Sequence, residues 1–208
     1  MRTPLTRERV VDAGVALADA QGLEYVSMRR LGEALGVESM SLYRHVGGKD
    51  DLVRSMAEQI VGLFPLPETS RHWRDALRRN AIHVHQILRA HSWASALLAS
   101  RDFVGPQRLT YLDAVLDRLR VGGLSVRAAH FALHAFDSHV MSFLDTNGRE
   151  DEDADAGPEV AALRAGELAT RYPRIAESMA ESVHDHALEF EFILDILLDG
   201  FVRAAQQN

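Results

Sequence analysis

The sequence contains no cysteine, a single lysine against 22 arginines, and no apolar run approaching the roughly 18 residues of a membrane span. The missing cysteine excludes a disulfide framework, an iron–sulfur cluster, a thiolate zinc site and a cysteine nucleophile, and fits a reducing cytoplasm. The first residues, Met1-Arg2-Thr3-Pro4-Leu5-Thr6-Arg7, turn charged at once instead of opening an apolar stretch. Neither secretion nor membrane insertion is expected. No stretch alternates apolar and polar residues with β-branched enrichment, so strands are not expected and the fold class reads as all-α. No G-x-S-x-G elbow, P-loop, G-x-G-x-x-G or H-E-x-x-H occurs. Ser138 stands between Asp137 and His139 on one predicted helix, where neighbouring side chains point apart and cannot form a triad. The chain is therefore not expected to be an enzyme, and no cofactor is implied.

What is present is an ordinary globular balance: 208 residues, 47% hydrophobic and 25% charged, enough for one or two closely packed domains. The net charge of -7 is unevenly placed, with -1 on residues 1–64 and -6 on residues 65–208. A near-neutral segment can bind DNA if its positive charges share one face, whereas the acidic remainder should face away from phosphate.

Helical spacing runs through almost the whole chain. Thr6 is placed to cap a helix to Gln21 with Val10, Ala13, Leu17 and Ala20 on one face, and Gly22 ends it. Ser27 can cap Met28–Leu35, with Leu31, Ala34 and Leu35 as its buried stripe and Gly36 as its stop. Ser39 can cap a short helix, Met40–His45. Beyond Gly47-Gly48, Lys49–Phe64 carries Leu52, Met56, Ile60 and Leu63 at helical spacing before Pro65 and Pro67. Further helices are expected at roughly 72–90, 92–100, 106–120, 125–144, 158–171 and 175–206. The acidic segment Asp145–Gly157 reads as a solvated loop, with an interaction tail as the alternative. The proline-containing stretch from Pro65 to Ser70 suggests a division into residues 1–48, a connecting helix over 49–64, and residues 65–208.

Two helices separated by Gly36-Val37-Glu38 have the layout of a helix-turn-helix, although spacing alone also permits a small helical hairpin. The second helix offers groups suited to a major groove. Ser39 and Ser41 donate and accept, Met40 can probe a thymine methyl, and Tyr43, Arg44 and His45 can reach phosphates or base edges, flanked by Arg29 and Lys49. The run Leu31-Gly-Glu-Ala-Leu35-Gly36-Val37-Glu38-Ser39-Met40-Ser41-Leu42-Tyr43-Arg44-His45-Val46, followed by Lys49-Asp50-Asp51-Leu52, closely resembles the DNA-binding domain of TetR-family transcriptional repressors. The resemblance implies that Tyr43, His45 and Lys49 contact phosphates, that Leu42 and Val46 are core, and that residues 39 to 41 with Arg44 read bases.

Downstream, Trp73 to Leu77, Asn80-Ala81, Gly105-Pro106, Gly122 to Ser125, Asp137 to Val140 and Phe190 to Asp195 look like the C-terminal domain of the tetracycline-repressor branch. This implies a helical domain that binds a small-molecule effector and forms a homodimer. Asn80 falls at a ligand-binding asparagine of that branch, Val84 replaces an aromatic, and Leu98 replaces the histidine that binds drug-chelated magnesium, so a metal–drug complex is not the expected ligand. Asp137 and the histidines add further candidates. Ten histidines are present, nine of them after residue 64. His130 and His134 share a helix face at i, i+4 while His83 and His85 do not. A metal site, a pocket role for His134 or His139, and ordinary histidines all remain open, and no metal is assigned. The last helix carries a stripe wide enough for its own core and a partner, with Phe190, Leu194, Leu197 and Phe201 as the candidate seam.

The expectation is a cytoplasmic homodimeric regulator with an N-terminal three-helix helix-turn-helix domain and a C-terminal effector-binding and dimerisation domain. It would repress from a palindromic operator in double-stranded DNA and be released by a small-molecule effector. The alternative is a helical metal-dependent or ligand-binding enzyme with a vestigial DNA-binding motif.

Overall fold

Capping signals set the helix boundaries. In the computed structural model, which describes residues 4–99, 105–142, 166, 169–181 and 186–207, the Thr6 hydroxyl accepts from Arg9 N and starts α1 (Arg7–Gln21). Ser27 does the same for Arg30 N at α2 (Met28–Leu35), which Gly36 ends in the left-handed region at φ 66°. Then follow α3 (Ser39–Leu42), α4 (Lys49–Gly62), α5 (Trp73–Ala90), α6 (Ser92–Ala99), α7 (Pro106–Val121) and α8 (Val126–Ser142). Further on lie α9 (Pro173–Glu181) and α10 (His186–Gln206). Among the described residues there is no strand, and no helix is long and apolar enough to cross a membrane. The all-α expectation holds.

The chain forms two compact units, Met1–Leu144 with Leu194–Asn208, and Asp145–Ile193. In the first, α1 packs on α2 and α4, α4 packs on α6 and α7, α5, α7 and α8 pack on one another, and α6 packs on α5 and α8. The second contains α9 and the start of α10.

Several expected faces shift. The buried stripe of α1 is Val10, Val11, Gly14, Val15 and Ala18, leaving Ala13 and Leu17 half-buried and Ala20 exposed. Gly14 explains the rotation: a Cβ there would lie 2.8 Å from Met56 Sδ, so the two helices meet at the residue without a side chain. In α2 the buried partner of Leu31 is Gly32, while Ala34 is exposed and Leu35 half-buried. The short helix starts at Ser39 with Glu38 as its cap residue and passes into a turn after Leu42, so Ser39 is not the cap and His45 is not helical. At the end of α4, Leu63 is exposed and Phe64 is buried. The helix expected over 175–206 is described as two, and the acidic segment 145–157 lies outside the described residues, as does most of 158–171.

Candidate DNA interface and effector site

The crossing of α2 and α3 depends on Gly32. A Cβ at that position would sit 2.8 Å from the Val37 carbonyl oxygen and 3.2 Å from Ser39 N. Leu42 and Val46 anchor the short helix from beneath, and both are buried. Its other side is open: Met40 is 73% exposed and Tyr43 50%. Arg29, Arg44 and Lys49 are exposed, and Ser39, Ser41 and His45 half-buried. An open concavity along the two helices is lined by Arg29, Ser39 and Ser41, among others. Arg29 is paired with Glu33 at 2.7 Å.

A fork missed in the sequence holds the turn after α3. Arg7 Nη1 donates to the His45 carbonyl at 2.8 Å and to Asp51 Oδ2 at 2.9 Å, while Nη2 donates to Asp51 Oδ1 and Ser55 Oγ, both at 2.8 Å. Gly47 N donates to the same carboxylate. The hydrogen bonds from Arg7, then from Gly47, pull the Asp51 carboxyl down to about 2. The turn carrying Tyr43 to Lys49 is thus tied to the N-terminus of α1 and the first turn of α4.

Two joints link these helices to α6 and α7. Asp19 of α1 accepts from Trp93 Nε1 at 2.6 Å and faces His91 Nδ1 at 2.8 Å. Glu58 Oε2 of α4 accepts from Gln107 N at 3.0 Å, at the start of α7. Gly105 permits that approach, since a Cβ there would fall 1.8 Å from Glu58 Oε1.

The interior of α5, α7 and α8 holds a chain of polar contacts. Asn80 Nδ2 donates to the Pro65 carbonyl at 2.5 Å and its Oδ1 accepts from Tyr111 OH at 3.0 Å. The Tyr111 ring meets Phe64 edge-on at 5.3 Å, and burial drives its phenol well above the usual range. Asn80 therefore grips the segment that follows α4. Arg108, 3% exposed, donates through Nη2 to both Asp137 oxygens, at 2.7 and 2.6 Å. Burial raises the Asp137 carboxyl despite the opposing pull of Arg108.

The other expected ligand residues differ in burial. Val84 and Leu98 are buried, His139 is half-buried, and His134 is exposed with its ring 4.5 Å from that of His130. Buried His85 is held down to about 4, first by burial and then by the fields of Arg89 and His139. Among the described residues no group of three or more ionisable side chains could hold a metal ion. Arg108 had one available signal in the sequence: a cation in the first turn of a helix opposes the helix dipole and needs a compensating partner.

On α10, Phe190, Leu194 and Phe201 are buried within the chain and Leu197 is half-buried. The large exposed apolar residues of this helix are Leu188, Phe192 and Ile196, at spacings of four. Arg74 and Arg78 of α5 hold Asp195, and Arg74 also holds Asp199.

The family of bacterial regulatory proteins described as the tetR family matches residues 10–56, and the tetracyclin repressor-like C-terminal domain matches residues 65–204. The chain belongs to the TetR family. Among TetR-family relatives, the HTH-type transcriptional repressor DrrR1 of Streptomyces coeruleorubidus is 32% identical over 98% of this chain and 80% of that protein. The class D tetracycline repressor of Escherichia coli is 32% identical over 63% of this chain and 61% of its own length. The solved structure of ActR from Streptomyces coelicolor in complex with (S)-DNPA superposes with a TM-score of 0.77 at 26% identity, covering 98% of this chain and 100% of that one. As a TetR-family member the chain is a ligand-responsive transcriptional regulator, with operator DNA, a small-molecule effector and a second copy of itself as partners. The enzyme alternative finds no support in these relatives.

Proposed function

We propose that the chain acts in the cytoplasm as a repressor on a palindromic operator and is released by its effector. Residues 1–48 form the DNA-binding domain, 49–64 the connecting helix, and 65–208 the effector and dimerisation domain. The observation that carries the DNA reading is the exposure of Met40 and Tyr43 above a helix fastened by buried Leu42 and Val46. Large side chains held in water by a well-anchored scaffold suit a partner surface. Tyr43, His45 and Lys49 meet phosphates, Ser39, Met40, Ser41 and Arg44 meet bases, and Arg29 exchanges Glu33 for the duplex.

The effector site is built from Asn80, Val84, Leu98, Asp137 and His139, with His134 at its outer edge. Its coupling to DNA runs through Asn80. An effector that takes the Asn80 amide competes with the Pro65 carbonyl, loosening α4 and favouring a head spacing that no longer matches successive major grooves. The dimer seam uses Leu197 with the exposed Leu188, Phe192 and Ile196, while Phe190, Leu194 and Phe201 support it from within.

Titration of a fluorescent duplex from the gene's own upstream region tests the reading. Lys49→Ala should weaken all duplexes alike and flatten the salt slope by roughly 1, whereas Arg44→Ala should change base preference. A wild-type protein that binds this duplex no better than an unrelated one would overturn it.

A further inference from the structure

Arg108 is buried with its donors only half used. Both oxygens of Asp137 lie on the same nitrogen, Nη2. Among the described residues no atom accepts from Nη1, although that nitrogen is sealed from solvent. A side-on pair would have engaged two guanidinium nitrogens and left less unsatisfied. Buried polar groups in folded proteins are overwhelmingly hydrogen-bonded, and a charged donor without an acceptor is among the least tolerated exceptions. Ser95 Oγ on α6 is a second buried polar atom without a partner among the described residues. An unpaired, sealed guanidinium nitrogen is what an interior shaped around a polar guest would present.

We propose that Arg108 is the polar anchor of the effector, and that its Nη1 donates to a neutral carbonyl oxygen on an otherwise apolar ligand. This rests on reading Asn80 and Asp137 as effector-site residues. Arg108 belongs to the same polar chain, since its guanidinium carbon lies 6.0 Å from the ring centroid of Tyr111, which bonds Asn80. Charge decides the chemical class of the acceptor. The Asp137 carboxylate already balances the guanidinium, so an anionic ligand would add a second negative charge in a buried place. Burial already works against ionised Asp137 there. A ketone or amide oxygen satisfies the N–H groups without that penalty. Asp137, which holds Arg108 from the far side, acts as a positioning residue.

Equilibrium dialysis of the full-length protein against 9-fluorenone, fluorene and fluorene-9-carboxylate tests this, because the three share a skeleton and differ at the oxygen. Wild-type protein should retain fluorenone about tenfold or more tightly than either of the others. Arg108→Lys keeps a cation for Asp137 but loses the second nitrogen, and should bring fluorenone down to the level of fluorene. The double variant Arg108→Met/Asp137→Leu, which leaves no buried charge behind, should do the same and guards against misfolding of the first. Equal retention of fluorenone and fluorene by wild type, or a preference that survives in both variants, would overturn the anchor while leaving the effector site standing. Tighter retention of the carboxylate would overturn the neutral-acceptor class. If wild type retains none of the three, the reading of an apolar effector interior falls, and the anchor with it.

Discussion

The turn after α3 and the interior of α5, α7 and α8 treat polar groups in opposite ways. Around α3 the polar side chains stand in or near water, and Arg29 meets a partner four residues away. Between α5, α7 and α8 they are withdrawn from water and meet at long range, Asn80 and Tyr111 being 31 positions apart in sequence and Arg108 and Asp137 29. Hydrated groups on an anchored helix can be exchanged with little effect on stability, and so are free to specify a sequence of bases. Buried groups hold one another in place, so a polar guest there would either replace a contact already made, as at Asn80, or satisfy a donor left open, as at Arg108 Nη1. On the proposed reading, the first region reads and the second responds.

Four perturbations probe that contrast, from the largest expected effect to the smallest. Leu42→Ala removes the fully buried anchor of α3 and should cost about 2 to 5 kcal/mol, read as a fall in the urea midpoint together with loss of duplex binding. Unchanged duplex affinity would mean that α3 needs no anchor. Lowering the pH acts on the other region. His85 stays neutral in the fold down to about 4 but ionises near 6.5 when unfolded. Its contribution is therefore complete above pH 6.5 and is lost as the pH falls toward 4, by up to about 3 kcal/mol. Denaturation curves of His85→Leu should show a shallower slope in that window.

Gly32→Ala forces a methyl against the Val37 carbonyl and should cost about 1 to 3 kcal/mol, with duplex affinity falling further than the melting temperature alone implies. Retained affinity would show that α2 and α3 can separate without harm. The smallest change in stability is expected from Arg29→Ala, which removes an exposed pair and should move the melt by no more than about 0.5 kcal/mol. Its signature should lie in a salt titration, where the slope of duplex binding falls by roughly 1.

The sequence was legible where local chemistry decides. Thr6, Ser27 and Gly36 mark helix ends that the structure keeps, and Leu42 and Val46 are buried as the resemblance implied. It was misleading where a missing side chain sets the packing. Gly14 and Gly32 carry no apolar signal, yet Met56 of α4 and the Val37–Ser39 turn press on them where a side chain would stand, so the expected stripes were rotated away from them. Ser39 has the chemistry of a cap, but the bond from Ser41 N to the Glu38 carbonyl opens the helix one residue sooner. In the interior of α5 and α7 Asn80 was visible as a residue type, while its partners were not. Nothing in the order of residues says that Pro65, Tyr111 and Asn80 will converge. On α10 the apolar stripe was visible, but tertiary packing chose which of its residues stay inside.

Trp93 gives the protein an optical gauge. Its indole N–H rests on the Asp19 carboxylate, so its emission is governed by the join between α1 and α6. The other tryptophan, Trp73, lies over Gly122 at the turn between α7 and α8, away from that join. With Trp73 replaced by phenylalanine, the remaining colour of the fluorescence becomes a direct readout of whether the DNA-binding helices are engaged with the layer beneath them, in solution and without a label.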